Sequence, residues 1–248
     1  MTRDEALAVV RQVQRHGNTR PFIEGFFSLT NKQNRLVPFR YNRLQEYIEA
    51  QTTGRDYWIK YRQGGSSVLH LARLLAYACC IPSYNAAVLT LSADRGRTRE
   101  RLFRHVTEFI GNMPPEVRPA FSHERTDYLE FKETGSQIYI GTVGSRDFGR
   151  SETIHGLMVT ELGSFSEAEA EATLTAVLES VVPGGYIVFE TTPKLLGSHA
   201  HKFYRDCKAG RRPYRAGFVP WYWAEDYHLR AGSIEALPDD RGALRLTE

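Results

Sequence analysis

The chain has 248 residues, 42% of them hydrophobic and 12% aromatic, enough to bury the core of one large domain or two small ones. Lys and Arg number 32 against 29 Asp and Glu, so a formal charge of +3 gives only a mild bias toward polyanions. Three cysteines, two of them adjacent at Cys79 and Cys80, supply neither a disulfide framework nor a metal spacing; no apolar run approaches the ~20 residues of a membrane span, and the expected setting is reducing and intracellular.

In chain order, residues 1–34 read as a helical lead-in. An amphipathic helix is predicted over Leu44–Ala50, then a strand over Tyr57–Tyr61. The helix Ser66–Cys80 follows, apolar nearly all round, as expected of an element covered on most sides. Strands over Ala86–Ser92, Gln137–Val143 and Leu157–Glu161 alternate with a helix over Arg95–Ile110. Ser166 and Glu169 have the spacing of a capping box, opening a helix that stops at Pro183-Gly184-Gly185. A strand over Tyr186–Thr191, a helix over Ala200–Ala209 and a strand over Gly217–Trp221 complete the pattern, and 224–248 read as a polar linker. The alternation predicts an α/β fold: a mostly parallel sheet with helices on both faces and binding loops at the carboxyl ends of the strands.

One turn stands where a phosphate-binding loop belongs. Lys60-Tyr61-Arg62-Gln63-Gly64-Gly65-Ser66-Ser67 joins a strand to a helix, so several backbone N–H groups and the positive end of the helix dipole can converge on one anion. Gly65 and Ser67 fit the last glycine and the Mg²⁺-binding hydroxyl of G-x-x-x-x-G-K-[ST]. Ser66 stands where that pattern has lysine, which leaves the phosphate cation to Lys60 or Arg62. The apolar strand Leu157–Glu161 ends in the polar pair Thr160-Glu161, at the place where ATPases carry an acidic pair. Glu161 fits the acid that polarises the attacking water, and the Thr160 hydroxyl can order a Mg²⁺-bound water. The next strand runs into Thr191-Thr192, hydroxyls placed to sense a γ-phosphate.

In this order the motifs resemble the ATPase half of the large terminase subunit of tailed double-stranded-DNA bacteriophages. The resemblance covers about residues 35–223. Leu36 to Gln45 is similar to the family's adenine-side motif, Lys60 to Ser67 to its deviant phosphate loop, Gly149 to Glu161 to its acidic strand and the segment leading into it, and Glu190-Thr191-Thr192 to its coupling motif. It implies a P-loop ATPase core that takes ATP and Mg²⁺. Gln45 would recognise adenine; Lys60, Arg62, Gln63, Gly64, Gly65, Ser66 and Ser67 would bind phosphates; Ser67, Thr160 and Glu161 would serve the metal; Glu161 would activate water. Arg150, with Arg146 second, would act as an arginine finger on a neighbouring subunit's ATP. The implied setting is the host cytoplasm at the procapsid portal vertex. The implied partners are double-stranded DNA, the portal protein, the small terminase subunit and further copies of the chain in a ring, a pentamer by resemblance. A metal-dependent nuclease domain would lie beyond 224–248. Two other readings share parts of this evidence: a helicase-like translocase on the same core, and a nucleic-acid-binding or scaffolding module that has lost catalysis.

Two basic groups, Arg97/Arg101/Arg104 and Lys208/Arg211/Arg212/Arg215, are either solvated faces or contacts for DNA phosphates or a neighbouring subunit. Trp221-Tyr222-Trp223 is expected to pack at a strand end.

Overall fold

The computed structural model describes residues 3–90, 97–142 and 153–224. Helices α1 (Arg3–His16) and α2 (Arg20–Phe26) lead into a short antiparallel pair, β1 (Ser28–Thr30) and β2 (Leu36–Pro38). α3 (Arg43–Gln51) starts at a capping box in which Asn42 and Gln45 exchange side-chain-to-backbone bonds. Next come β3 (Arg55–Ile59), α4 (Ser66–Cys80), β4 (Asn85–Thr90) and α5 (Arg97–Gly111). A hairpin of β5 (Phe121–Arg125) and β6 (Tyr128–Phe131) precedes β7 (Gln137–Thr142) and β8 (Ile154–Thr160). α6 (Glu167–Glu179), β9 (Val181–Thr191), α7 (His199–Lys208) and β10 (Arg215–Phe218) follow.

Eight strands form one sheet in the order β10-β3-β9-β8-β4-β7-β6-β5, parallel from β10 to β7 and antiparallel at the β6 and β5 edge. Both faces are covered, which is why the central strands read as continuous apolar runs. Trp58, Val88, Met158 and Val188 pack toward α1 to α5, whereas Tyr57, Leu89, Val159 and Phe189 pack toward α6 and α7. The period of two then dictates what lies at the strand ends: Lys60, Thr160 and Glu190 emerge on the face that carries α4. No helix among the described residues is long and apolar enough to cross a membrane.

The predicted α/β architecture is the observed one. Several details differ, among them the last strand, which runs Arg215–Phe218 and leaves Trp221 in a following turn. The β5–β6 hairpin was absent from the sequence reading, since β5 is mostly exposed and carries little alternation. The helix expected to stop at Pro183-Gly184-Gly185 ends earlier, at Glu179, and those residues lie inside β9. There Val181 pairs with Ile154 and Tyr186 with Gly156, so the glycines absorb a bulge rather than a helix end. Of the tryptophan cluster Trp223 packs against Tyr47, at 5.0 Å between ring centroids, whereas Trp221 and Tyr222 meet edge to face at 6.1 Å and stay mostly exposed.

Candidate active site

The turn between β3 and α4 is shaped by its glycines. A side chain at Gly64 would put its Cβ 2.6 Å from Leu44 Cδ1 and 2.8 Å from the Tyr61 ring. Gly65 has φ +84° and faces the Gln45 amide, so a left-handed backbone and close packing both demand glycine. Gln63 is also left-handed, at φ 58°. α4 begins without a side-chain cap, and its first N–H groups remain available at the mouth of the turn.

Gln45 braces the turn. Its amide makes two hydrogen bonds within the chain: Nε2 donates to the Gly65 carbonyl at 2.9 Å, and Oε1 accepts from the Asn42 N–H at 3.0 Å. Asn42 Nδ2 donates to the Gly64 carbonyl at 3.0 Å. With the residue 4% exposed, the side chain clasps the turn from behind instead of presenting a free edge to a base. The sequence placed Gln45 on the helix beside the loop but could not show that the capping box turns its amide toward the loop.

The remaining loop residues face a cleft of about 610 Å³, lined by Lys60, Arg62, Gln63, Gly64, Gly65, Ser66 and Ser67 together with Thr160, Glu161 and Thr192. That volume suits a small-molecule ligand. Arg101, Leu102 and His105 of α5 form the opposite wall, so one member of the first basic stripe looks into the cleft. Lys194, just after β9, lines it too and was not singled out from sequence. The second basic group is partly neutralised by Asp206, which pairs with Arg211 at 2.6 Å and Arg212 at 3.8 Å. Arg150 and Arg146 lie outside the described residues.

Beneath the loop sits Glu190, which the sequence reading placed in the coupling motif without giving it a role at the loop. Its carboxylate is fully buried and accepts from Ser66 Oγ at 2.6 Å, from Thr160 Oγ1 at 2.8 Å and from Ser67 Oγ in a short contact. Burial pushes this carboxyl up, but the Lys60 ammonium and the hydroxyl donors outweigh it and hold Glu190 below its ordinary value, ionised at neutral pH. His70, one turn along α4, is driven by burial down to about 3. It is therefore uncharged, which leaves Lys60 as the cation facing Glu190. His70 Nδ1 lies 2.8 Å from the Tyr186 hydroxyl, which also accepts from Arg73 at 3.2 Å. The sequence signals for Glu190 are its place in the Glu190-Thr191-Thr192 resemblance and an acid near the end of an otherwise apolar strand.

Glu161 leaves β8 with φ 59° and ψ 33°, an unusual conformation for a residue with a side chain. The next turn, Leu162–Ser164, is pinned by Thr191, whose Oγ1 accepts from the Gly163 N–H at 3.0 Å. The Thr191 carbonyl accepts from the Lys60 N–H at 3.0 Å. Of the two threonines expected to sense phosphate, Thr192 faces the cleft; Thr191 is buried and ties the site together.

The sequence matches no protein-family model and no curated protein. Solved structures do match. The large terminase of bacteriophage HK97 aligns with a TM-score of 0.65 and 13% identity over 83% of this chain, which spans 44% of that protein's length. The large terminase ATPase domain of Thermus phage P74-26 aligns at TM-score 0.55 and 16% identity, over 79% of this chain and 91% of that domain. The UvsW helicase of bacteriophage T4 aligns at TM-score 0.50 and 7% identity, over 83% of this chain and 67% of the helicase. At these identities the likeness is one of fold: over most of its length, this chain has the fold of the ATPase domains of phage large terminases.

Proposed function

We propose that the chain is the ATP-hydrolysing motor domain of a terminase large subunit, which drives double-stranded DNA into a procapsid. The observation that carries this reading is the convergence of an uncapped, glycine-shaped helix start and the left-handed Glu161 on one cleft, at the carboxyl ends of parallel strands. The N–H groups of Gly64, Gly65 and Ser66 cradle phosphate oxygens, Lys60 and Arg62 balance their charge, and Glu161 orients and polarises the in-line water. Thr192 reads the outer phosphate. Gln45 and Asn42 hold the loop in its binding shape.

The hydroxyls of Ser67 and Thr160, with the ionised carboxylate they share, form a hard oxygen set of the kind Mg²⁺ takes beside phosphate oxygens and water. No cluster of three or more His, Cys, Asp or Glu that could hold a metal by itself is present among the described residues, which fits an ion held jointly with nucleotide. Bound Mg²⁺ supplies charge neutralisation between the outer phosphates. Arg150 remains the residue assigned to a neighbour's ATP, in a head-to-tail ring of chains whose further partners are the portal protein and the small terminase subunit. The work is done in the host cytoplasm at the portal vertex.

Calorimetric titration with a non-hydrolysable ATP analogue and Mg²⁺, paired with a phosphate-release assay, tests this. Absence of binding would leave a nucleic-acid-binding or scaffolding module. The UvsW likeness favours one competing motor reading, a helicase-like translocase. That protein should unwind a forked duplex, whereas a packaging motor should translocate on duplex DNA without opening it.

A further inference from the structure

We propose that Glu190 is the metal-side acid of this site, supplied from β9 in place of the acid that β8 lacks at Thr160. The inference rests on the ATP and Mg²⁺ reading above and assigns the residue that completes it. In loop ATPases of this kind the ion is held between the loop hydroxyl and an acid at the end of a nearby strand. Here the β8 residue facing α4 is Thr160, which has no charge to offer.

The sheet explains how Glu190 takes the place. β9 lies between β3 and β8, and Thr160 and Glu190 are register partners in the parallel pair. Partners on neighbouring strands stand about 4.8 Å apart with side chains on the same face. The acid has thus moved one strand toward the loop, and glutamate is one methylene longer than aspartate. Its Oε1 receives both the Ser67 and the Thr160 hydroxyls, so the loop hydroxyl and the acid are already in direct contact. Ser66 holds the other oxygen at 2.6 Å.

A buried carboxylate costs free energy that a neutral amide would avoid, and here the Lys60 ammonium and the Ser66 and Ser67 hydroxyls offset that cost. The groups that keep Glu190 ionised are thus those of the phosphate loop itself. The assignment also divides the labour: Glu190 serves the metal side, and Glu161, in its left-handed turn on the cleft wall, is left to the attacking water.

The test compares wild type, Glu190→Gln, the swap Thr160→Asp/Glu190→Thr, and Glu161→Gln. Affinity for a non-hydrolysable ATP analogue is measured by calorimetry with Mg²⁺ and with EDTA, and thermal melts check folding. Wild type and Glu161→Gln should gain affinity with Mg²⁺. Glu190→Gln should lose about 10- to 100-fold of that gain, as when a group organising a bound metal is removed. The swap returns one acid to β8 and should regain it; it also keeps the charge count, so it decides the matter if Glu190→Gln fails to fold. A folded Glu190→Gln with an undiminished Mg²⁺ gain, or a folded swap without one, would overturn the assignment. Wild type that binds no analogue in either buffer would instead overturn the ATPase reading, so the two failures are told apart.

Discussion

Replacing Gln45 with alanine separates a base-reading side chain from one that shapes the loop. In the structure its amide makes two hydrogen bonds, one to the Gly65 carbonyl and one from the Asn42 N–H. Each such bond contributes roughly 1 kcal/mol net, and losing both removes about 2 kcal/mol from the order of the turn. At about 1.4 kcal/mol per tenfold, that corresponds to a loss of roughly 30-fold in phosphate-dependent affinity if the whole penalty is expressed at the loop. The loss should be blind to the base. Non-hydrolysable ATP and GTP analogues, titrated in parallel by calorimetry, should weaken by the same factor, while urea unfolding of the free chain reports the part of the ~2 kcal/mol that is not expressed in binding. Asn42→Ala, which removes the bond to the Gly64 carbonyl and the cap of α3, should behave in the same way. If Gln45→Ala weakens ATP and spares GTP, the amide leaves its clasp to read adenine, and the reasoning from the free geometry fails.

Glu161→Gln should bind the ATP analogue as wild type does yet release phosphate at least about 100-fold more slowly, since the amide keeps the shape and loses the base; turnover within a few-fold of wild type would remove Glu161 from the chemistry. Arg150→Ala and Glu161→Gln should each be inactive, and mixing them should restore turnover at interfaces that combine an intact Glu161 with an intact Arg150; no rescue in mixtures shown to associate would make Arg150 a cis-acting or structural residue. His70 gives a pH dependence with a definite sign. Buried among Glu190, Lys60, Arg73 and Tyr186, it is held from its ordinary 6.5 down to about 3, so below pH 6.5 the unfolded chain takes up a proton that the folded one refuses. Stability is full above pH 6.5 and falls by about 1.4 kcal/mol per unit below it from this residue. Denaturant unfolding without Mg²⁺ or nucleotide should give His70→Gln a flatter curve than wild type between pH 6.5 and 4.5, and parallel curves would contradict the burial argument.

The alternation of strands and helices could be read from the chain because the central elements are apolar and punctuated by glycine and proline. The loop of Lys60 to Ser67 was legible for the same reason: its glycines and hydroxyls are contiguous in sequence. Glu190 was not. Its importance comes from being the register partner of Thr160, thirty residues upstream, and from reaching a helix start that is more distant still. Locally it is an acid at the end of an apolar strand and the first residue of the Glu190-Thr191-Thr192 resemblance, and neither fact points to the loop. Gln45 shows another limit: the sequence placed it beside the loop, but a capping box fixes where an amide points only once the turn behind it is known. Pro183-Gly184-Gly185 looked like a helix stop because the same residues that end helices also permit a bulge.

Thr191 holds two parts of the cleft through one residue. Its carbonyl receives the first N–H of the phosphate loop, and its hydroxyl receives the N–H of the turn that follows Glu161. β9 therefore acts as a yoke. If its end shifts when Thr192 loses contact with an outer phosphate, the loop and the Glu161 turn must move together or break a buried bond. The same chain continues into Leu195 and Leu196, which are 84% and 87% exposed. A displacement of the β9 end would therefore also carry this exposed apolar pair, which lies outside the cleft lining.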